Sequence, residues 1–394
     1  MTKANPFAMN TEFNLLNKTV SLHRWPLGQK NRSLQAWDSA DQYLIEHVVE
    51  HQLLTKDSKI LIINESFGAL SCYFHDYQSF ILLDSYVSMQ GIEHNLKVNQ
   101  LATGQNQQQN NVTFIPSSKL TEDNALPQVD LVLIKIPKNN GYLAAILSTL
   151  AAKLNSNAAI IAAGKTTDIH NSTLKLFEQY IGTTTTSLAK KKSRLIFSKL
   201  EKKNLQQIKP RTWTANDLII TNHPNVFSGE SLDIGARLFI EHLPNCNDKT
   251  VIDLGCGNGV ISATVMKLFT PKQVKLVDES FAAVKSAQDT IENNFATRAS
   301  ICEFIVDDCL TKQQNNSADV VLCNPPFHQQ QAVTDHIAWQ MFKDAHRVLR
   351  PGGLLCIVGN RNLGYHIKLK KLFGQCEQVA SNKKFVILQS KKRR

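Results

Sequence analysis

The stretch TVIDLGCGNGVISATVM (250–266) is an apolar run, a turn of glycines and a helical continuation, and KILIINESFGALSCYF (59–74) has the same shape. Asn64 falls where Asp253 falls and Gly68 where Gly257 falls, while Ser66 and Leu70 replace Gly255 and Gly259. The echo continues. FILLDSYVSMQGIEHNLKVN (80–99) and VKLVDESFAAVKSAQDTIENN (274–294) each end a strand on an aspartate, Asp84 and Asp278, with Asn99 and Asn293 fifteen residues later. VDLVLIKIPK (129–138) matches ADVVLCNPPF (318–327), which pairs Asp130 with Asp319 and Lys135 with Asn324. AAIIAAGK (158–165) and LLCIVGNR (354–361) are each followed by KLF. Four ordered matches predict two copies of one α/β unit, the first without the glycine loop and the Asn-Pro-Pro. Strands alternating with helical stretches imply a doubly wound, mainly parallel sheet in each copy.

A chain of 394 residues, 42% hydrophobic, can fill two such cores. The expected division is residues 1–198 for the first copy, a charged and polar linker at 199–213 broken by Pro210, and 214–394 for the second. Residues 1 to about 32 have few apolar anchors and read as partly disordered, and GQNQQQNN (104–111) reads as a surface loop.

Composition excludes several classes. No run approaches the roughly 20 apolar residues of a membrane span, and MTKANPFAMNTEFN lacks the pattern of a secretory signal. Eight cysteines stand as singletons without a C-x-x-C pair, which reads as reduced thiols and a cytoplasmic location. Twelve histidines form no set with metal-ligand spacing, so no metal is expected. The net charge of +11, with clusters at Lys190–Lys192 and Arg194, Lys202–Lys203, Lys368–Lys371 and Lys391–Arg394, points to a polyanionic partner, most simply nucleic acid.

Glycines in Asp253-x-Gly255-x-Gly257-x-Gly259 let backbone amides approach a ligand. The bland reading is a tight strand–helix turn. The spacing is not the G-x-G-x-x-G of dinucleotide folds, and Asp253 at the strand end would repel a pyrophosphate. It suits a ligand carrying a cation, such as the α-amino group of S-adenosylmethionine. Asp278, ending the next strand, is placed to accept ribose hydroxyls. One carboxylate of Asp307-Asp308 would take the adenine amine, with Asp308 preferred.

The next strand runs into Asn324-Pro325-Pro326-Phe327. In open parallel sheets the ligand sits at the carboxyl ends of the strands, so this turn faces it. An aromatic exocyclic amine is a poor nucleophile because its lone pair is delocalised. The Asn324 side-chain carbonyl and the Pro325 main-chain carbonyl can hold such an amine, Phe327 can stack on its ring, and proline fixes the backbone.

This pattern resembles the class I S-adenosylmethionine-dependent N-methyltransferases with Asn-Pro-Pro-(Phe/Tyr). VFSGESLDIGARLFIEHL (226–243), IDLGCGNG (252–259) and CNPPFHQQQAVTDHIAWQMF (323–342) resemble the bacterial ribosomal RNA guanine-N2 methyltransferases. LQAWDSADQYLI (34–45) and INESFGALSC (63–72) are similar to the large-subunit (23S rRNA) enzyme rather than to its small-subunit relative. The resemblance implies two tandem Rossmann-like methyltransferase domains, the N-terminal one degenerate and holding RNA. It places Phe227 and Ser228 beside S-adenosylmethionine, gives cofactor contacts to Asp253, Gly255, Gly257 and Asp278, and gives the guanine to Asn324 and Phe327. Asp307-Asp308 departs from the more asparagine-like pair expected there.

The expected activity is methyl transfer to guanine N2 of 23S rRNA, naked or in an assembly particle, by a monomer. The alternatives are the same reaction on 16S rRNA, methylation of DNA adenine or protein glutamine, and a non-catalytic RNA-binding or assembly factor. Trp37, Trp213 and Trp339 read as core or interface residues. Lys135 and His328 each read either as an RNA contact or as structural.

Overall fold

The computed structural model describes residues 10–28, 34–100, 111–122, 126–155, 157–202, 207–226, 231–326 and 332–393, leaving aside the side chains of 332–335. It divides into two compact units, Met1–Lys209 and Pro210–Arg394.

In the first unit, the hairpin β1 (Glu12–Leu15) and β2 (Lys18–Ser21) precedes α1 (Ser39–Glu50). The strands that follow are β3 (Lys59–Ile63), β4 (Gln78–Leu83), β5 (Val112–Pro116), β6 (Leu131–Lys135), β7 (Ala159–Lys165), β8 (Thr184–Thr186) and β9 (Ser193–Ser198). Helices α2 (Ala69–Tyr73), α3 (Tyr86–Val98), α4 (Asn140–Lys153) and α5 (Asn171–Tyr180) connect them.

The second unit repeats the plan. Hairpin β10 (Arg211–Ala215) and β11 (Leu218–Asn222) precedes α6 (Ile234–Ile240). Its sheet contains β12 (Thr250–Leu254), β13 (Gln273–Asp278), β14 (Cys302–Val306), β15 (Ala318–Cys323), β16 (Leu349–Asn360), β17 (Glu377–Ser381) and β18 (Phe385–Lys391). Its helices are α7 (Val260–Leu268), α8 (Phe281–Phe295), α9 (Ala332–Val348) and α10 (Tyr365–Phe373).

The two sheets share one strand order, β5-β4-β3-β6-β7-β9-β8 and β14-β13-β12-β15-β16-β18-β17. Only β9 and β18 run against the rest. This is the expected doubly wound α/β fold, twice over. Helices cover both faces, so a central strand is apolar at consecutive positions. Along β12 and β15, Val251, Val320 and Leu322 face one core and Ile252, Val321 and Cys323 the other. The chain order reverses between β12 and β15, which opens a crevice at their carboxyl ends. Among the described residues no helix is long and apolar enough to cross a membrane.

Two expectations change. The N-terminal stretch is not without anchors, because Phe13, Val20 and Leu22 are buried in the β1–β2 region; residues 1–9 and 29–33 lie outside the described residues, as does most of 104–111. The stretch 199–213 is divided rather than free. Lys199 and Glu201 hydrogen-bond back to Thr183 and Ile181, and Arg211–Trp213 belong to β10.

The backbone also corrects the pairing of the repeat. The amide of Asn64 donates to Leu82 as that of Gly255 donates to Val277, so Asn64 matches Gly255 and Ile62 matches Asp253. Gly68 and Gly259 each cap the next helix at positive φ, +87° and +77°, and each packs on the following helix at Ile92 and Ala287. Gly68 therefore matches Gly259, and Ser66 matches Gly257. Ser85 and Ser280 are equivalent N-caps, which puts Leu83 at the place of Asp278. Asn99 matches Asn294 rather than Asn293, since each accepts from a hairpin amide, Ser21 at 2.7 Å and Ile219 at 2.9 Å. Two pairs stand. Asp130 and Asp319 both accept from the first amide of the central strand, each at 2.8 Å. Lys135 and Asn324 both follow a residue paired to the end of that strand.

Candidate active site

The loop after β12 holds Gly255, Gly257 and Gly259 at φ of +76°, +53° and +77°. Their surroundings differ. A Cβ on Gly259 would stand 2.9 Å from Ala287 Cα, so this glycine serves helix packing. A Cβ on Gly257 would meet nothing within 4 Å, so this glycine borders open space. A Cβ on Gly255 would lie 3.6 Å from the main-chain oxygen of Asn324, so the loop and the Asn-Pro-Pro turn are neighbours.

Two carboxylates support the loop. Asp278 accepts from the Gly257 amide at 3.0 Å and from the Ser280 amide at 3.0 Å. Asp253 lies below, 2% exposed, accepting from the Ser262 hydroxyl at 2.7 Å and amide at 3.1 Å. Burial pushes Asp253 up to about 6, against the hydrogen bonds from Ser262. It is thus an acid held in low dielectric under the first turn of α7, not one lying open at the strand end.

The acidic pair after β14 separates cleanly. Asp307 is 1% exposed and both its oxygens are engaged, by the Thr311 hydroxyl at 2.6 Å and the Lys312 amide at 2.8 Å. Asp308 is half-buried and accepts from Gln340 of α9 at 3.1 Å. Burial raises its carboxyl above the usual range.

Asn324 follows the last residue of β15, beside the loop. Its side-chain oxygen is buried and, among the described residues, has no hydrogen-bond partner. A buried amide oxygen left unsatisfied costs about 1–3 kcal/mol. Pro325 behind it is buried. Phe227, Ser228, Phe327 and His328 lie outside the described residues.

Sequence reasoning passed over the polar set that carries the chain toward residue 226. Asn222 accepts from the Trp213 indole at 2.9 Å and from Asn258 of the glycine loop at 3.1 Å. His223 pairs with Asp289 at 2.7 Å, and its amide donates to Ser286 at 2.8 Å. The only signal was the run Thr221-Asn222-His223-Pro224, which has no distinctive spacing. Trp37, packed on Phe13 at 5.0 Å, and Trp213 are structural, as expected.

The corresponding place in the first unit is filled from within. Lys135, at the position of Asn324, bonds Asp38 and Asp41 at 2.6 Å each, so it is a structural lysine and not a phosphate contact. The lysine holds Asp38 ionised against the effect of burial. Glu65 is 3% exposed and accepts from the Leu70 and Ser71 amides and the Ser71 hydroxyl. Burial pushes it up to about 8. Asn64 keeps the positive φ of the loop, +62°, and donates to the Lys135 carbonyl at 3.0 Å.

A doubly wound sheet with an open glycine at the switch point, and Asn-Pro-Pro on the adjoining strand end, defines the second unit as an S-adenosylmethionine-dependent methyltransferase domain. Residues 217–389 match the family described as "Methyltransferase small domain", and residues 10–202 match "RLMG N-terminal domain". The chain is 50% identical over 390 residues to the ribosomal RNA large subunit methyltransferase G of Pseudoalteromonas translucida, spanning 98% of this chain and 99% of the relative. It is 44% identical over 406 residues to that of Colwellia psychrerythraea, spanning 99% and 100%. Among solved structures, a T. thermophilus 16S rRNA N2 methyltransferase in complex with AdoMet and guanosine superposes with a TM-score of 0.72 at 20% identity, over 97% of this chain and 98% of that one. That likeness concerns the fold. The chain belongs to the ribosomal RNA large subunit methyltransferase G family.

Proposed function

We propose that the chain transfers a methyl group from S-adenosylmethionine to the exocyclic N2 of a guanine in 23S rRNA. The observation that carries this reading is the buried, unpartnered Oδ1 of Asn324 beside an open glycine loop. An orphaned acceptor needs an N–H donor, and an exocyclic amine supplies one. A non-catalytic assembly factor would have no use for that acceptor. Full-length likeness at 44–50% identity to large-subunit enzymes supports 23S over 16S rRNA as the substrate.

S-adenosylmethionine, when bound, supplies an electrophilic methyl on a sulfonium that leaves as a neutral thioether. The chain's residues do the rest. Gly257 leaves room for the ligand, Gly255 brings the loop's backbone against the Asn324 carbonyl beside it, and Asp253 gives that floor a fixed negative charge above about pH 6. Asp278 receives the ribose hydroxyls. Asp308, half-buried like Asp278, takes the adenine amine, since Asp307 is 1% exposed and sealed under its own turn. Asn324 Oδ1 and the Pro325 carbonyl accept from the guanine amine and aim its lone pair at the methyl, a gain by orientation rather than by a general base, and the proton shed by the methylated nitrogen passes to water. Phe327 stacks on the guanine, and Phe227 and Ser228 line the cofactor side. Residues 1–198 act as the RNA-holding domain and 214–394 as the catalytic domain. Eight unpaired cysteines suit the reducing cytoplasm, and a chain that already pairs two folds suits a monomer, working on naked RNA or an assembling particle.

The test is transfer of radiolabelled methyl from S-adenosylmethionine to unmodified 23S and 16S rRNA in parallel, with digestion to nucleosides. N2-methylguanosine in 23S alone is the expected result. Label in 16S alone, in another nucleoside, or in neither RNA overturns the reading.

A further inference from the structure

The first unit has replaced every loop residue that would face a cofactor, yet one surface feature survives in both units. In each sheet the antiparallel strand begins at a hairpin tip that lies over the carboxyl end of a parallel strand. Lys190 N donates to Ser193 O at 2.8 Å, and Asn382 N donates to Phe385 O at 2.9 Å. Thr166 N, just past β7, donates to Lys192 O at 2.9 Å; Arg361 N, just past β16, donates to Lys384 O at 3.1 Å. The two tips are therefore structural equivalents, and both carry a lysine pair, Lys191-Lys192 and Lys383-Lys384, all exposed.

The tips differ in how they turn. Lys191 and Lys192 sit at φ of +48° and +64°, whereas the Asn382 side chain accepts from the Lys384 and Phe385 amides. Different turns with the same charges in the same place indicate that the charges, not the turn, are the shared property.

The tips stand at the functional edge of each sheet. Cys323 pairs with Ile357, so Arg361 and the second tip project about 10 Å beyond Asn324 along the neighbouring strand. In the first unit Lys135 pairs with Ala163, and the first tip occupies the same lip. Lys190 is partly neutralised by Glu46 at 2.8 Å. Among the described residues Lys192 and Lys383 make no ion pair. Leu188, 88% exposed beside the first tip, adds an apolar contact suited to unstacked bases.

We infer that the two hairpin tips are paired phosphate clamps for the RNA substrate, the second beside the reacting base and the first retained after its unit lost the cofactor. This rests on the rRNA reading above. Because the first unit has no cofactor loop, its lysine pair serves RNA alone.

The experiment measures rRNA affinity against salt for full-length K191E/K192E, K383E/K384E and, as an equal charge change, K56E/K59E. Lys59 opens β3 and Lys56 lies just before it, both exposed at the amino ends of the parallel strands, opposite the carboxyl ends where the tips lie. Each tip variant should weaken rRNA binding at least tenfold near 0.1 M salt and lower the slope of log K against log salt by about 1.5. S-adenosylmethionine affinity should stay within twofold, and K56E/K59E should weaken rRNA binding less than threefold. Tip variants that bind rRNA like the parent, or a control that weakens it equally, overturn the inference. Failure of the methylation reading is distinguishable, since the parent would then bind rRNA without forming N2-methylguanosine.

Discussion

Two strand–loop–helix turns of one design sit in one chain and have come to opposite ends. In the second unit the turn borders space: a Cβ on Gly257 would meet nothing within 4 Å, and Asn324 Oδ1 is buried without a partner among the described residues. In the first, Ser66 replaces Gly257, Leu83 replaces Asp278, and Lys135 fills the place of Asn324 with two ion pairs. The retained glycine is Gly68, the counterpart of Gly259, whose lack of a side chain lets two helices touch. Residues that serve the packing persist in both units, whereas those we propose for the ligand persist in one.

The sharpest test exchanges what the two equivalent positions do. Asn324→Ala should lower kcat on 23S rRNA about a thousandfold while S-adenosylmethionine binding stays within twofold by calorimetry. Retained turnover would remove the amide from the chemistry. Lys135→Ala should do the reverse, leaving kcat near the parent value and destabilising the fold by about 3 kcal/mol, because Asp38 and Asp41 lose their counter-ion. Denaturant unfolding reads this.

The glycines extend the contrast at smaller cost. Gly259→Ala forces a Cβ to within 2.9 Å of Ala287 Cα and should cost about 2 kcal/mol of stability. Gly257→Ala has room, so its strain at positive φ is about 1 kcal/mol, and its larger effect should be a tenfold loss of S-adenosylmethionine affinity. Equal melting temperatures for the two variants would contradict the division of roles.

The last contrast is pH-dependent and spreads its effect over several pH units, differently in the two units. Glu65 has its folded pKa raised to about 8, so the unfolded state holds fewer protons between about pH 4.5 and 8. Stability should fall as pH rises through that window, by up to about 1.4 kcal/mol per unit. Glu65→Gln should flatten the slope measured by melting temperature against pH. Asp253, raised to about 6, should instead show in ligand binding. Its charge is lost as pH falls below 6, so S-adenosylmethionine affinity should weaken there by up to about tenfold per unit. No change in affinity between pH 5 and 7 would mean the carboxylate does not act on the ligand.

The repeat itself was legible, because alternating apolar runs and helical stretches record burial residue by residue. Its register was not. Matching identical letters put Gly68 opposite Gly257 and Asn99 opposite Asn293, while the backbone hydrogen bonds put them opposite Gly259 and Asn294. A glycine that packs and a glycine that borders a ligand are the same letter. Asp253 and Asp307 show the same limit: each reads as a strand-end acid, and only the structure shows each buried and engaged by the turn that follows it.

By itself the sequence determined the doubly wound fold, its duplication, the loss of the site in one copy and the chemical type of Asn-Pro-Pro, since periodicity, turn chemistry and composition are local properties. Tertiary structure alone decided which acid of the pair is engaged, which glycine borders space, what neutralises Lys135, and that two lysine pairs 192 residues apart are equivalent. Those depend on contacts between residues far apart in the chain, and a linear pattern carries no record of which distant group comes within hydrogen-bonding reach.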